Sequence, residues 1–96
     1  MSLPEKVKAK RHEILTIAAR HGARNVRLFG SIAQGEADER SDVDLLVDME
    51  PGRSLLDHAA LSIELNRQLD CKVDVISDRG LKPRIRERVL KEAVAL

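Results

Sequence analysis

The sequence predicts an α/β fold, a small mixed β-sheet with helices packed on one face. Three observations lead there. Short apolar runs at residues 25–29, 41–47 and 72–76 alternate as strands do, and longer segments around them carry apolar residues at helical spacing. In the second and third runs the carboxylates all fall on one face, while Val and Leu fall on the other. The aliphatic face is the one helices would cover.

Ser2 before Pro4 and Glu5 reads as a helix start, and Gly22 as its stop. Val7, Ile14, Leu15, Ala18 and Ala19 recur between them, so residues 2–22 are expected to form one helix, with Lys6, Lys10, Glu13 and Arg20 on a solvated face. His12 and His21 lack a Cys or His partner at metal-ligand spacing. Asn25 to Phe29 is the first strand, with Val26 and Leu28 on one face and Arg27 and Phe29 on the other. Ile32 to Gln34 fits a single helical turn, and Glu36 to Arg40 a polar loop. Ser41 to Val47 is the second strand, ended by Pro51-Gly52. Ser54 caps a second helix reaching about Asp70, with Leu55, Ala59, Ile63, Leu65 and Leu69 apolar and His58 without an obvious partner. Lys72 to Ile76 is the third strand. After the turn Ser77 to Gly80, Leu81 to Ala95 is expected to be helical, with Arg84, Arg88 and Lys91 on one face.

Composition bounds the function. Ninety-six residues suit a single domain, residues 1–96, that buries roughly two-thirds of the surface its unfolded chain exposes. Phe29 is the only aromatic residue, so no Tyr or Trp can stack on a base. Seventeen basic and sixteen acidic residues nearly cancel, which argues against a nucleic-acid binder. Cys71 is alone, so no internal disulfide can form, and it reads as a small apolar residue. With no apolar run of membrane-spanning length and no signal-type core near the start, a soluble cytoplasmic protein is expected.

The chemistry concentrates at Leu28-Phe29-Gly30-Ser31-Ile32-Ala33-Gln34-Gly35 and Ser41-Asp42-Val43-Asp44-Leu45-Leu46-Val47. Asp42 and Asp44, spaced i, i+2 on a strand, stand side by side. Like charges this close repel unless a cation or a proton lies between them, and Mg²⁺ takes oxygen ligands of this kind. Asp74, between two valines on the third strand, projects away from them; if the two strands are neighbours, three carboxylates converge. Gly30 lets backbone N–H groups approach an anion, and the Ser31 hydroxyl adds a donor. Phosphate on one side and metal carboxylates on the other is a layout for phosphoryl or nucleotidyl transfer.

Gly30-Ser31, Gly35 and Ser41-Asp42-Val43-Asp44 together resemble the signature of the minimal nucleotidyltransferases, a small branch of the polymerase-β-like superfamily. The resemblance covers nearly the whole chain and implies the polymerase-β-like nucleotidyltransferase fold. At Ile32 and Gln34 the chain departs from the familiar form, which often carries Arg at one or both positions. The resemblance further implies Asp42, Asp44 and Asp74 as catalytic metal ligands, with two Mg²⁺ ions about 3.5–4 Å apart. Gly30, Ser31, Gly35 and Ser41 are then the nucleotide-binding residues, with Gly30 and Ser31 at the β and γ phosphates. It implies transfer of a nucleoside monophosphate, AMP from ATP in the first instance, to a hydroxyl of a partner protein, a HEPN-domain toxin for which this chain is the antitoxin. A homo-oligomer is also compatible. The other reading is an antitoxin that neutralises its partner by contact alone.

Overall fold

A computed structural model of the chain describes residues 3–30 and 42–96. The sheet is built around the most apolar run. On β2 (Val43–Met49), Val43, Leu45 and Leu46 are fully buried and Val47 nearly so, a pattern that demands covering on both sides and a neighbour at each edge. β1 (Ala23–Phe29) lies antiparallel to β2 on one side, and β3 (Val73–Ser77) parallel to it on the other. A two-residue strand β4 (Val94–Ala95) adds to the far edge of β1, giving the order β3-β2-β1-β4. The mixed sheet expected from sequence is present.

A parallel pair needs a crossover, supplied by the helix Leu55–Leu69. Ser54 caps it as the sequence predicts: Leu56 N–H donates to Ser54 Oγ at 3.2 Å, and Ser54 N–H donates to Asp57 Oδ2 at 2.9 Å, a reciprocal capping box. Leu61, Leu65 and Leu69 form its fully buried stripe, and Asp70 ends it in a left-handed conformation. Ile14, Ile17 and Ala18 of the preceding helix, with Val7, complete the aliphatic core against Val43, Leu45, Val47, Val73 and Val75.

Three expectations are corrected. Residues 3–20 form two helices, α1 (Leu3–Ala9) and α2 (Arg11–Arg20), broken at Lys10; the crossover helix is therefore α3. Nor are Lys6, Lys10 and Arg20 merely solvated. Lys10 Nζ donates to Gln68 O at 2.5 Å and Lys6 Nζ to Asp70 O at 3.5 Å, placing cations on the end of α3 where unpaired carbonyls and the helix dipole favour them. Arg20 and His21 both reach Glu64, at 2.8 and 2.6 Å, and the His21 bond is the main reason the Glu64 carboxyl lies below its usual range. At the other end, the last helix, α4 (Pro83–Glu92), stops short of Ala95. Val94 pairs with Leu28 and Ala95 with Arg27, and Leu96 N–H donates to Val26 O at 3.0 Å. Cross-strand pairing there overrides the helical spacing of Ala93.

The outer edge of β3 is closed by side chains of α3. Asn66 pairs with Val73 as a strand would, accepting from its N–H and donating to its carbonyl, both at 2.9 Å. His58, which the sequence leaves unpartnered, lies with Nε2 2.6 Å from the Val75 carbonyl oxygen. An edge covered in this way cannot template another strand. No helix among the described residues is long and apolar enough to cross a membrane.

Candidate active site

Strand register assembles the site. Because Val43 stands opposite Val73, Asp44 falls directly opposite Asp74, and on the other flank Phe29 falls opposite Asp44. Directly opposed residues share a face, so the two carboxylates that sequence alternation placed away from the core are cross-strand neighbours. Asp42 immediately precedes β2 on the same face as Asp44. The condition stated from sequence, that the second and third strands be neighbours, is met.

Electrostatics follow from the register. Asp44 is half-buried, and its carboxyl is pushed above the usual aspartate range, first by desolvation and then by the charges of Asp74 and Asp42; the Lys72 ammonium pulls the other way. Lys72 Nζ lies 3.5 Å from Asp42 Oδ2, a contact that sequence reading had not singled out.

Gly30 closes the third side. It follows β1 with φ +74°, a conformation Gly adopts without penalty. A Cβ at this position would lie 2.6 Å from Asp44 Oδ2, so the absence of a side chain is what lets the backbone lie against that carboxylate. Ser31, Ile32, Gln34, Gly35, the loop 36–40 and Ser41 lie outside the described residues.

An all-oxygen, mutually repelling carboxylate set fits a hard divalent cation such as Mg²⁺ in its donor chemistry and charge. Among the described residues no three acidic, His or Cys side chains already stand close enough to enclose an ion, and Asp42 is engaged with Lys72.

Farther along the same face the charges are paired. Arg27 Nη2 donates to Asp48 Oδ1 at 3.1 Å and lies 3.9 Å from Asp78 Oδ2, while Arg86 Nε donates to Asp78 Oδ1 at 2.8 Å. The Arg86 bond is the main cause of the Asp78 carboxyl lying below its usual range. Leu46, on this face between Asp44 and Asp48, is fully buried. The carboxylate face is therefore not open along its whole length, and the mutually repelling carboxylates lie toward the Asp42–Asp44 end. Cys71 is half-buried with its thiol pushed up by burial, in keeping with a packing role. Arg84, Arg88 and Lys91 are exposed on α4, and Arg88 is bonded to Glu92 at 3.4 Å.

Residues 12–96 match the family described as nucleotidyltransferase domain. A Thermococcus cleftensis protein adenylyltransferase, MntA, is 44% identical over 75 residues, 78% of this chain and 76% of that protein. A Methanocaldococcus jannaschii protein provisionally named a protein adenylyltransferase is 39% identical over 84 residues, 88% of this chain and 90% of its own length. Among solved structures, one provisionally assigned as a minimal nucleotidyltransferase superposes with a TM-score of 0.89 at 55% identity, covering 97% of this chain and 95% of its own. A toxin–antitoxin structure with AMP-PNP shares the fold, with a TM-score of 0.75 at 22% identity, covering 88% of this chain and 69% of its own. With the Asp44–Asp74 pair and the Gly30 approach in a polymerase-β-like sheet, the chain belongs to the nucleotidyltransferase-domain family, in its minimal nucleotidyltransferase branch.

Proposed function

We propose that this protein is a Mg²⁺-dependent adenylyltransferase that moves AMP from ATP to a hydroxyl group of a partner protein, the toxin of a toxin–antitoxin pair. The observation that carries the reading is the half-buried Asp44, opposed by Asp74 on one side and pressed by the Gly30 backbone on the other. Two relatives named as protein adenylyltransferases support the chemistry, and the similar toxin–antitoxin structure with AMP-PNP agrees with the choice of nucleotide and partner. The HEPN class of the partner follows from the resemblance in the signature residues.

Asp42, Asp44 and Asp74 hold the metal. Bound Mg²⁺, one ion or two, supplies positive charge at the phosphate oxygens and lowers the pKa of the acceptor hydroxyl. Gly30 and Ser31 present donors to the β and γ phosphates, with Gly35 and Ser41 shaping the rest of the nucleotide site. The acceptor oxygen attacks the α phosphorus, the bond to the bridging oxygen breaks, and pyrophosphate leaves. Asp74, beside the acceptor, receives the hydroxyl proton. With no aromatic residue but Phe29, the base is held loosely and affinity comes from the phosphates. Residues 1–96 work as one domain, in the cytoplasm, and the partner completes the acceptor side.

The test is incubation with Mg²⁺, ATP labelled at the α phosphate and the product of the adjacent gene. Label is expected on the partner, and Asp44→Asn or Asp42→Asn is expected to lower its rate at least about 10²-fold with the circular dichroism spectrum unchanged. Equal labelling by Asp44→Asn sinks the assignment. Tight partner binding without label, preserved in Asp44→Asn, establishes instead an antitoxin acting by contact.

A further inference from the structure

We propose that Lys72 is a placeholder cation: its ammonium balances Asp42 in the metal-free protein and yields that carboxylate to the divalent ion on loading. This rests on the reading of Asp42, Asp44 and Asp74 as the metal ligands.

The register that sets Val43 opposite Val73 also sets Asp42 beside Lys72 and Asp44 beside Asp74, making a two-by-two patch on one face of the sheet. Three corners are negative and one is positive. Strand pairing fixes the backbone of this corner, since Val43 N–H donates to Lys72 O at 3.0 Å. The side chain is held differently. Lys72 Nζ and Asp42 Oδ2 meet at 3.5 Å, with the Lys72 side chain 67% exposed and that of Asp42 41% exposed. An exposed pair of this length shifts an equilibrium only about two- to fivefold, enough to bias Asp42 and little enough for a dication to displace it. Lysine suits the task because its ammonium is a compact point charge on a flexible stem; arginine would grip the same carboxylate with a planar, two-pronged fork and release it less readily.

A patch with three carboxylates and no resident cation would repel itself before the metal arrives. Lys72 removes part of that repulsion and takes its place at one corner, which accounts for Asp42 being engaged while Asp44 and Asp74 face one another. The cost is competition between the ammonium and the ion for one carboxylate.

The test is calorimetric titration of nucleotide-free protein with Mn²⁺, comparing wild type, Lys72→Met, Lys72→Arg and, as a remote charge control on α4, Lys91→Met. Expected are binding by the wild type, about two- to fivefold tighter binding by Lys72→Met, weaker binding by Lys72→Arg and no change in Lys91→Met. Thermal melts give a second readout: Lys72→Met is less stable than wild type without metal, and the deficit shrinks or closes at saturating Mn²⁺. Unchanged or weaker Mn²⁺ binding by Lys72→Met, or the same gain in Lys91→Met, overturns the inference while leaving the metal site standing. A wild type that binds no Mn²⁺ overturns the metal site and the inference together.

Discussion

Gly30→Ala separates two roles of one residue, and the chain contains its own control. At φ +74° an alanine bears a left-handed strain of about 1–2 kcal/mol. For 96 residues, the unfolding entropy of about 2 cal/mol/K per residue converts that into a melting temperature lower by about 5–10 °C. Gly52, in the turn after β2, has φ +88° and no atom within 4 Å of where a Cβ would stand, so Gly52→Ala carries the same strain with no contact. The Gly30 Cβ instead lands 2.6 Å from Asp44 Oδ2. What gives way is a flexible carboxylate, so the contact costs little stability; the displaced atom, however, belongs to the site. Both variants are therefore expected to melt lower by similar amounts, while Gly30→Ala alone loses about 10–100-fold in Mn²⁺ affinity, the range found when the support of a metal ligand is disturbed. Melts and Mn²⁺ titrations at pH 7 check this. Equal Mn²⁺ affinity in the two variants, or an unstrained Gly30→Ala, refutes the close approach.

The raised Asp44 pKa makes metal-free stability depend on pH in a fixed direction. The folded state holds the Asp44 proton more tightly than the unfolded chain does, so this contribution is full where Asp44 is protonated and is lost as pH rises from 3.8 through the folded value. Melts in EDTA are expected to lose this component in Asp44→Asn, which should be more stable than wild type near pH 7 by about 0.2–1 kcal/mol, the size of a like-charge cross-strand pair; a less stable Asp44→Asn contradicts the repulsion. Asn66→Ala leaves the Val73 N–H and carbonyl without their side-chain partner and is expected to cost about 1–3 kcal/mol in urea titration and to expose the β3 edge to concentration-dependent association by light scattering. An unchanged urea midpoint refutes the edge-closing role.

The features legible in the sequence are those set by short-range rules. Alternation along 42–47 and 73–76 placed Asp42, Asp44 and Asp74 on one face, and Ser54 marked the start of α3, although the Asp57 half of its capping box was not read. Tertiary effects were hidden. Val7 and Ile14 stand two helical turns apart, a spacing that hides the break at Lys10 between them, and Ala93 continues the α4 pattern although pairing of Val94 with Leu28 ends the helix there. Lys72 read only as the first residue of the third strand, because its meaning depends on a strand pairing that brings it to Asp42 from thirty positions away. A cross-strand register applied to Lys72 as well as to Asp74 would have found it. Asn66 and His58 were equally silent, since a polar residue on an amphipathic helix gives no sign that it will reach a strand edge.

The most direct test of the central claim is which phosphate moves. Parallel reactions of the protein and its partner with Mg²⁺ and ATP labelled at either the α or the γ position separate nucleotidyl from phosphoryl transfer. The account predicts that α label becomes covalently attached to the partner, that γ label leaves as pyrophosphate, and that both fail in Asp44→Asn. Covalent γ label, or α label independent of Asp44, would contradict it.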